Sequence, residues 1–261
     1  MNVIPRINSR SIFIGNSGSG KSTLVANLLS RKDMLGRAFD RRILISPTAK
    51  TDDIQKHLKF EEDDIIDDLE KAPAFLRELE ESQREAIQQS GADRAPLVLV
   101  LFDDVVSDNK LMKSKEFIDS FILSRHFNFT TFLCSQSYNM IPRKARLQAK
   151  NIFFFSSAMS ETDVLVDDRA PPGYTKKEAR KLVEDATADD FSFLHINMEA
   201  GLKTRYRKNL DEVFITQISS ASPSLEDGAH ERGHRRRGHR DGSRGRSPDG
   251  VRTNRVSRAQ Y

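Results

Sequence analysis

The segment Gly15-Asn16-Ser17-Gly18-Ser19-Gly20-Lys21-Ser22 constrains this chain more than any other stretch, because it fits G-x-x-x-x-G-K-[ST] at every fixed position. The apolar run Ser11 to Ile14 leads into it, and Ser22 to Leu29 leaves it with Leu24, Val25, Leu28 and Leu29 at helical spacing. Strand, glycine-rich loop and helix in that order form a phosphate-binding loop. The glycines let the backbone curl so that successive N–H groups and the helix N-terminus face an anion. Such a loop takes ATP with Mg²⁺. Gly15, Asn16, Ser17, Gly18, Ser19, Gly20, Lys21, Ser22 and Thr23 cradle the nucleotide, Lys21 reaches the β- and γ-phosphates, and the Ser22 hydroxyl ligates the metal.

Five apolar runs recur with helical patterns between them: Ser11 to Ile14, Arg42 to Ser46, Leu97 to Phe102, Thr130 to Ser135 and Ile152 to Phe155. That alternation predicts an α/β fold with a mostly parallel central sheet flanked by helices. Between the second and third runs, Pro73 separates a short helix carrying Ile65, Ile66 and Leu69 from a longer one carrying Phe75, Leu76, Leu79 and Ala86. The acids of that stretch read as a solvated face. After the fifth run come a turn at Pro171 to Gly173, a helix from Thr175 to about Glu184, and closing strands around Phe191 to Ile196 and Lys203 to Arg207 at the sheet edge.

A length of 261 residues supports one main domain, expected over 1–218. From about residue 219 large apolar side chains almost vanish, and 219–261 reads as a disordered Arg/Gly/Ser-rich basic tail. From Gly228 onward ten arginines face three acids, so this part carries +7 of a net +4 and the body carries −3. The longest apolar run, Leu97 to Phe102, is too short to span a bilayer, and the N-terminus lacks the pattern of a secretory signal. No membrane association is expected, and the protein is expected inside a cell. The single cysteine, Cys134, reads as a small core residue.

The third run ends in Phe102-Asp103-Asp104, an apolar strand delivering two carboxylates, as a Walker B strand does. Asp103 would hold the Mg²⁺ shell, and Asp104 would orient or deprotonate the attacking water. The fourth run ends in Gln136, which can donate to a γ-phosphate or to that water. Arg125, Arg143 and Arg146 are candidates for stabilising transition-state charge on a neighbouring subunit's ATP, and Lys144 and Lys150 join them in a basic patch.

These residues together with Ser124-Arg125-His126-Phe127, Leu133-Cys134-Ser135-Gln136-Ser137, Ile141-Pro142-Arg143-Lys144-Ala145-Arg146 and Asn151-Ile152-Phe153-Phe154-Phe155 resemble the genome-packaging ATPases of poxvirus-type, giant and virophage DNA viruses, a branch of the FtsK/HerA group. The resemblance covers roughly residues 10 to 208. It implies a RecA-like core that forms a homo-oligomeric ring and couples ATP hydrolysis to pulling double-stranded DNA into a preformed capsid, with a capsid or portal-vertex protein as partner. It implies work at viral assembly sites in the host, with Lys21 and Ser22 on nucleotide, Asp103 and Asp104 as Walker B, and Gln136 as polar sensor. The wider group usually has Glu where Asp104 stands.

Two other readings share the loop. A small P-loop phosphotransferase, such as a nucleotide kinase, would close an arginine-rich lid over two nucleotides, and no such segment is evident. A non-catalytic virion protein would hold ATP only as a structural ligand. Intact Lys21, Ser22, Asp103 and Asp104 disfavour it.

Overall fold

The computed structural model describes residues 3–50, 58 and 60–214. The tail expected from residue 219 lies outside the described residues.

The described strands form one nine-stranded sheet: β1 (Arg10–Ile14), β2 (Arg41–Ile45), β3 (Ile65–Ile66), β4 (Val98–Asp103), β5 (Phe129–Ser135), β6 (Asn151–Phe155), β7 (Phe193–Asn197), β8 (Tyr206–Lys208) and β9 (Glu212–Val213). Their order across the sheet is β3-β2-β4-β5-β1-β6-β7-β8-β9. Every pairing from β3 to β6 is parallel, and the last three strands join antiparallel. The mostly parallel sheet expected from the alternating runs is the one observed. The helices are α1 (Lys21–Ser30), α2 (Ala72–Ser90), α3 (Asn109–Lys113), α4 (Lys115–Ile122), α5 (Arg143–Gln148), α6 (Met159–Arg169) and α7 (Lys176–Ala186).

Period-two alternation splits the central strands between two cores. Ile12, Ile14, Val98, Val100, Phe102, Leu133, Ile152 and Phe154 face the layer built by α2, α4, α5, α6 and α7. Phe13, Leu99, Leu101, Phe132, Cys134, Phe153 and Phe155 face the layer that contains α1. With both faces covered, these strands read as continuous apolar runs. Cys134 is fully buried in β5, as its sequence context suggested. On the α1 side, Phe153 stacks between Phe13 (ring centroids 4.6 Å) and His195 (4.4 Å), tying β1, β6 and β7 together.

Three local expectations change. Ile65 and Ile66 form a strand and not a helix, because pairing with Leu44 and Ile45 extends the sheet beyond β2. Pro73 sits in the first turn of α2, where its missing N–H has no partner to lose. The acidic stretch is not all solvated. Glu80 is buried, and burial, with Asp119 nearby, raises its carboxyl to about 7.

Candidate functional site

In a parallel sheet the loops that leave the C-terminal strand ends gather along one edge, and crevices there take ligands. The phosphate loop leaves β1 between β5 and β6, so Gly15 sits beside both. Its N–H donates to the Ser135 carbonyl (3.2 Å), and a Cβ on Gly15 would stand 2.6 Å from the Cβ of Phe155, too close to fit. Gly18 and Gly20 have φ of 75° and 99°, the left-handed region that glycine enters without penalty.

Helix α1 begins with no side-chain cap and no acid in its first turn. Its first internal bond is donated by Leu24 to Gly20 (2.9 Å), so the N–H groups of Lys21, Ser22 and Thr23 precede the helical ladder. An uncapped positive helix end suits phosphate. The Lys21 ammonium is folded over the loop, donating to the carbonyls of Gly15 (2.6 Å) and Asn16 (2.9 Å).

A cavity of about 240 Å³ opens at this point. Ser17, Gly18, Gly20, Lys21, Ser22 and Thr23 line one side, and Asp103, Asp104 and Gln136 line the other. Residues scattered over more than a hundred positions therefore meet at one place, because β4, β5 and β1 are parallel neighbours ending at one edge. Asn16 and Ser19 border an adjoining cavity, and Gly15 packs beneath the loop.

Each strand-end residue is held by local structure. Asp103 is buried as the last residue of β4. Asp104 has φ 52° and donates its N–H to the Cys134 carbonyl (3.3 Å), a turn that swings the second carboxylate out of the strand line. Left-handed backbone is tolerated by Asp, whose short side chain can bond locally, better than by Glu. Gln136 crowns a small clasp: Ser135 Oγ donates to the Ser137 carbonyl (2.9 Å) and accepts from the Ser137 N–H (3.0 Å).

Two side chains at this edge escaped sequence reasoning. Glu161, on α6, accepts from Ser137 Oγ (2.8 Å) and from the Asn139 N–H (2.8 Å), pinning the turn that carries Gln136. Phe191 also lines the cavity. It is not part of the closing strand, which begins at Phe193. It stands outside with φ 60° and 71% of its surface exposed. Only a polar turn around an aromatic could have flagged it.

The three arginines part company. Arg125 is exposed in a single turn of 3-10 helix before β5, at the edge opposite the phosphate loop. Nearby Arg10 is buried, and burial first, then the charge of Arg125, lowers its pKa. Arg143 is exposed and 3.7 Å from Asp168. Arg146 is committed to contacts within its own chain. Its Nε donates to Asp168 (2.9 Å), its Nη1 donates to the carbonyls of Tyr138 (3.3 Å) and Asn139 (3.1 Å), and its guanidinium lies over the Tyr138 ring. Extracting it would leave the Asp168 carboxylate with only the exposed Arg143 at 3.7 Å.

The fold matches known packaging enzymes. B204, the DNA-packaging ATPase of Sulfolobus turreted icosahedral virus, superposes with TM-score 0.53 at 16% identity, over 75% of this chain and 95% of that one. The genome-packaging NTPase B204 of Sulfolobus turreted icosahedral virus 2, in complex with AMP, gives 0.51 at 15% identity, over 76% and 95%. No curated protein sequence matches the chain. The family model described as the poxvirus A32 protein matches residues 4–184, a span holding the phosphate loop, Asp103, Asp104 and Gln136. On that match the chain belongs to the poxvirus A32 protein family, as its motifs had suggested.

Proposed function

We propose that this chain is the ATPase of a viral DNA-packaging motor, hydrolysing ATP to move double-stranded DNA into a preformed capsid. The observation that carries the reading is the single cavity on which Lys21, Ser22, Asp103, Asp104 and Gln136 converge, in a chain of the A32 family. The structurally similar B204 proteins are described as packaging enzymes, which supports the same reading here. Family and fold give the phosphotransferase alternative no support.

In this reading Lys21 turns from the loop carbonyls to the β- and γ-phosphates, and the N–H groups at the start of α1 hold the rest of the chain of phosphates. Among the described residues no three His, Cys, Asp or Glu side chains converge as a metal cage. That suits Mg²⁺, which is commonly held by one or two carboxylates, water and substrate phosphates. Ser22 and Asp103 would hold it, and it would offset phosphate charge. Asp104 orients a water and accepts its proton as the water oxygen bonds to the γ-phosphorus and the β–γ bridge breaks, leaving ADP and phosphate. Gln136 donates to the γ-phosphate or to that water.

The reading includes a homo-oligomeric ring in the infected cell, with Arg125 or Arg143 supplied to a neighbour's ATP and a capsid or portal-vertex protein as docking partner. Among the described residues no helix is long and apolar enough to cross a membrane. The ATPase domain is 1–218, and the arginines of 219–261 bind DNA phosphates, with a salt slope of roughly −0.9 per phosphate contacted, or serve as a nuclear address. Deleting everything after Asp227 tests this: unchanged DNA affinity and salt slope would leave only the address.

The decisive experiment is ATP hydrolysis by the full chain with and without double-stranded DNA, beside Lys21→Ala and Asp104→Asn. DNA-stimulated turnover in wild type that falls about 10²- to 10³-fold in both variants is the expected result. Hydrolysis indifferent to DNA, with phosphate passing to a nucleotide acceptor, would overturn the motor reading.

A further inference from the structure

Phe191 occupies a costly position. A large aromatic side chain that is 71% exposed needs an explanation when its backbone also lies in the left-handed region at φ 60°. The turn around it is well tied. The Ser192 N–H donates to the Asp189 carbonyl (3.1 Å), Ser192 Oγ donates to the same oxygen (2.7 Å), and Ser192 Oγ accepts from the Asp189 N–H (3.1 Å). The Asp189 carboxylate is clamped by Lys208 of β8. Phe191 is thus the third residue of a closed four-residue turn, where positive φ favours Gly or Asn. Strain of this kind persists where surrounding structure over-determines it, and it clusters at ligand sites.

The ring meets the phosphate loop. A Cβ placed on Gly20 would lie 3.4 Å from Phe191 Cδ1, so the turn presses against the last loop glycine and leaves most of the ring free. The ring also borders two cavities. One is the 240 Å³ space shared with Lys21 and Asp103. The other, about 460 Å³, runs between loop residues Asn16 to Ser19 and the turn from Thr187 to Ser192, over Phe155. Its volume falls in the range of roughly 300–1,000 Å³ typical of small-molecule sites. A nucleoside triphosphate with its phosphates in the first cavity has its nucleoside within reach of the second.

We infer that Phe191 is the stacking platform for the nucleobase of the bound triphosphate, and that the larger cavity is the nucleoside subsite. This rests on the nucleotide-binding half of the proposed function. Stacking uses the π-face that every base presents, so the platform strengthens binding while discriminating weakly between bases. The turn's anchoring to β8 holds the ring in place before nucleotide arrives.

The test is calorimetric binding of ATP and of inorganic tripolyphosphate to the full chain, in wild type, Phe191→Ala, Phe191→Leu and Phe191→Tyr. Loss of one stacked base should weaken ATP about tenfold in Phe191→Ala. Tripolyphosphate should change by less than about twofold. Phe191→Tyr should retain ATP affinity, and Phe191→Leu, which keeps bulk without the π-face, should behave like Ala. Equal weakening of both ligands would show that the ring only shapes the phosphate loop, and unchanged ATP binding in Ala and Leu would show that it does not touch the base. Either result overturns the inference. Wild type that binds ATP but hydrolyses it without regard to DNA overturns the motor reading alone, whereas wild type that binds neither ligand overturns both.

Discussion

Strand β5 carries Gln136 just past one end and Arg125 just before the other, and the two ends of the sheet are built differently. At the C-terminal edge, uncapped N–H groups, a lysine and two carboxylates converge on one cavity. At the N-terminal edge, Arg125 stands exposed beside the buried Arg10, and among the described residues no carboxylate forms an ion pair with Arg125. A seven-residue strand spans about 23 Å, so Arg125 cannot reach the phosphates of its own subunit. In the ring proposed above, the two edges would be halves of one apparatus that a second copy of the chain joins.

The largest effect should come from breaking the halves apart. Arg125→Ala is expected to lower DNA-stimulated turnover about 10³-fold or more with unchanged ATP affinity, the range of a trans-acting arginine. Mixing it with Lys21→Ala should restore part of the activity, because some interfaces then combine an intact loop with an intact arginine. No recovery in mixed assemblies would mean that the edges do not meet across subunits.

Arg146 sharpens the same contrast from the other side. Arg146→Ala should destabilise the fold by about 3 kcal/mol, because Asp168 loses its close buried partner and keeps only the exposed Arg143 at 3.7 Å. Arg125→Ala should leave the melting temperature nearly unchanged. Thermal unfolding of the two variants separates the structural arginine from the functional candidate.

A smaller effect is expected at Glu161, which positions Gln136 without lining the cavity. Glu161→Ala should lower kcat roughly tenfold to a hundredfold through misplacement of Gln136. The Kd for ATP should move little, and a fall in ATP affinity instead would place Glu161 in nucleotide binding.

A separate effect, on stability and not on turnover, is an acid sensitivity outside the nucleotide cavity. His195 is buried against Phe153 and Asn151, and burial first, then Arg207, lowers its pKa to about 3. A folded-state pKa below the unfolded value favours the neutral ring, so this contribution is full above pH 6.5 and is lost as pH falls toward 3. His195→Gln should flatten stability between pH 6.5 and 5 in urea titrations, whereas Lys21→Ala should leave that slope intact.

Much of this was legible in the chain. The phosphate loop, the Asp103-Asp104 strand end and Gln136 are local patterns, and alternating apolar runs specify parallel strands buried on both faces. Boundaries were less legible, since two isoleucines before a proline fit a helix or a strand equally well until β2 offers a pairing partner. What the sequence determined by itself was therefore the set of chemical parts and the α/β class, because spacing along the backbone encodes them. Tertiary structure alone decided that Asp104, Gln136 and Phe191 share a cavity with Lys21, that Arg146 is sealed beneath Tyr138, and that Glu161 steadies a turn 22 residues away in the chain. Those contacts depend on strand order, register and packing, which bring distant residues together and leave no trace in local spacing.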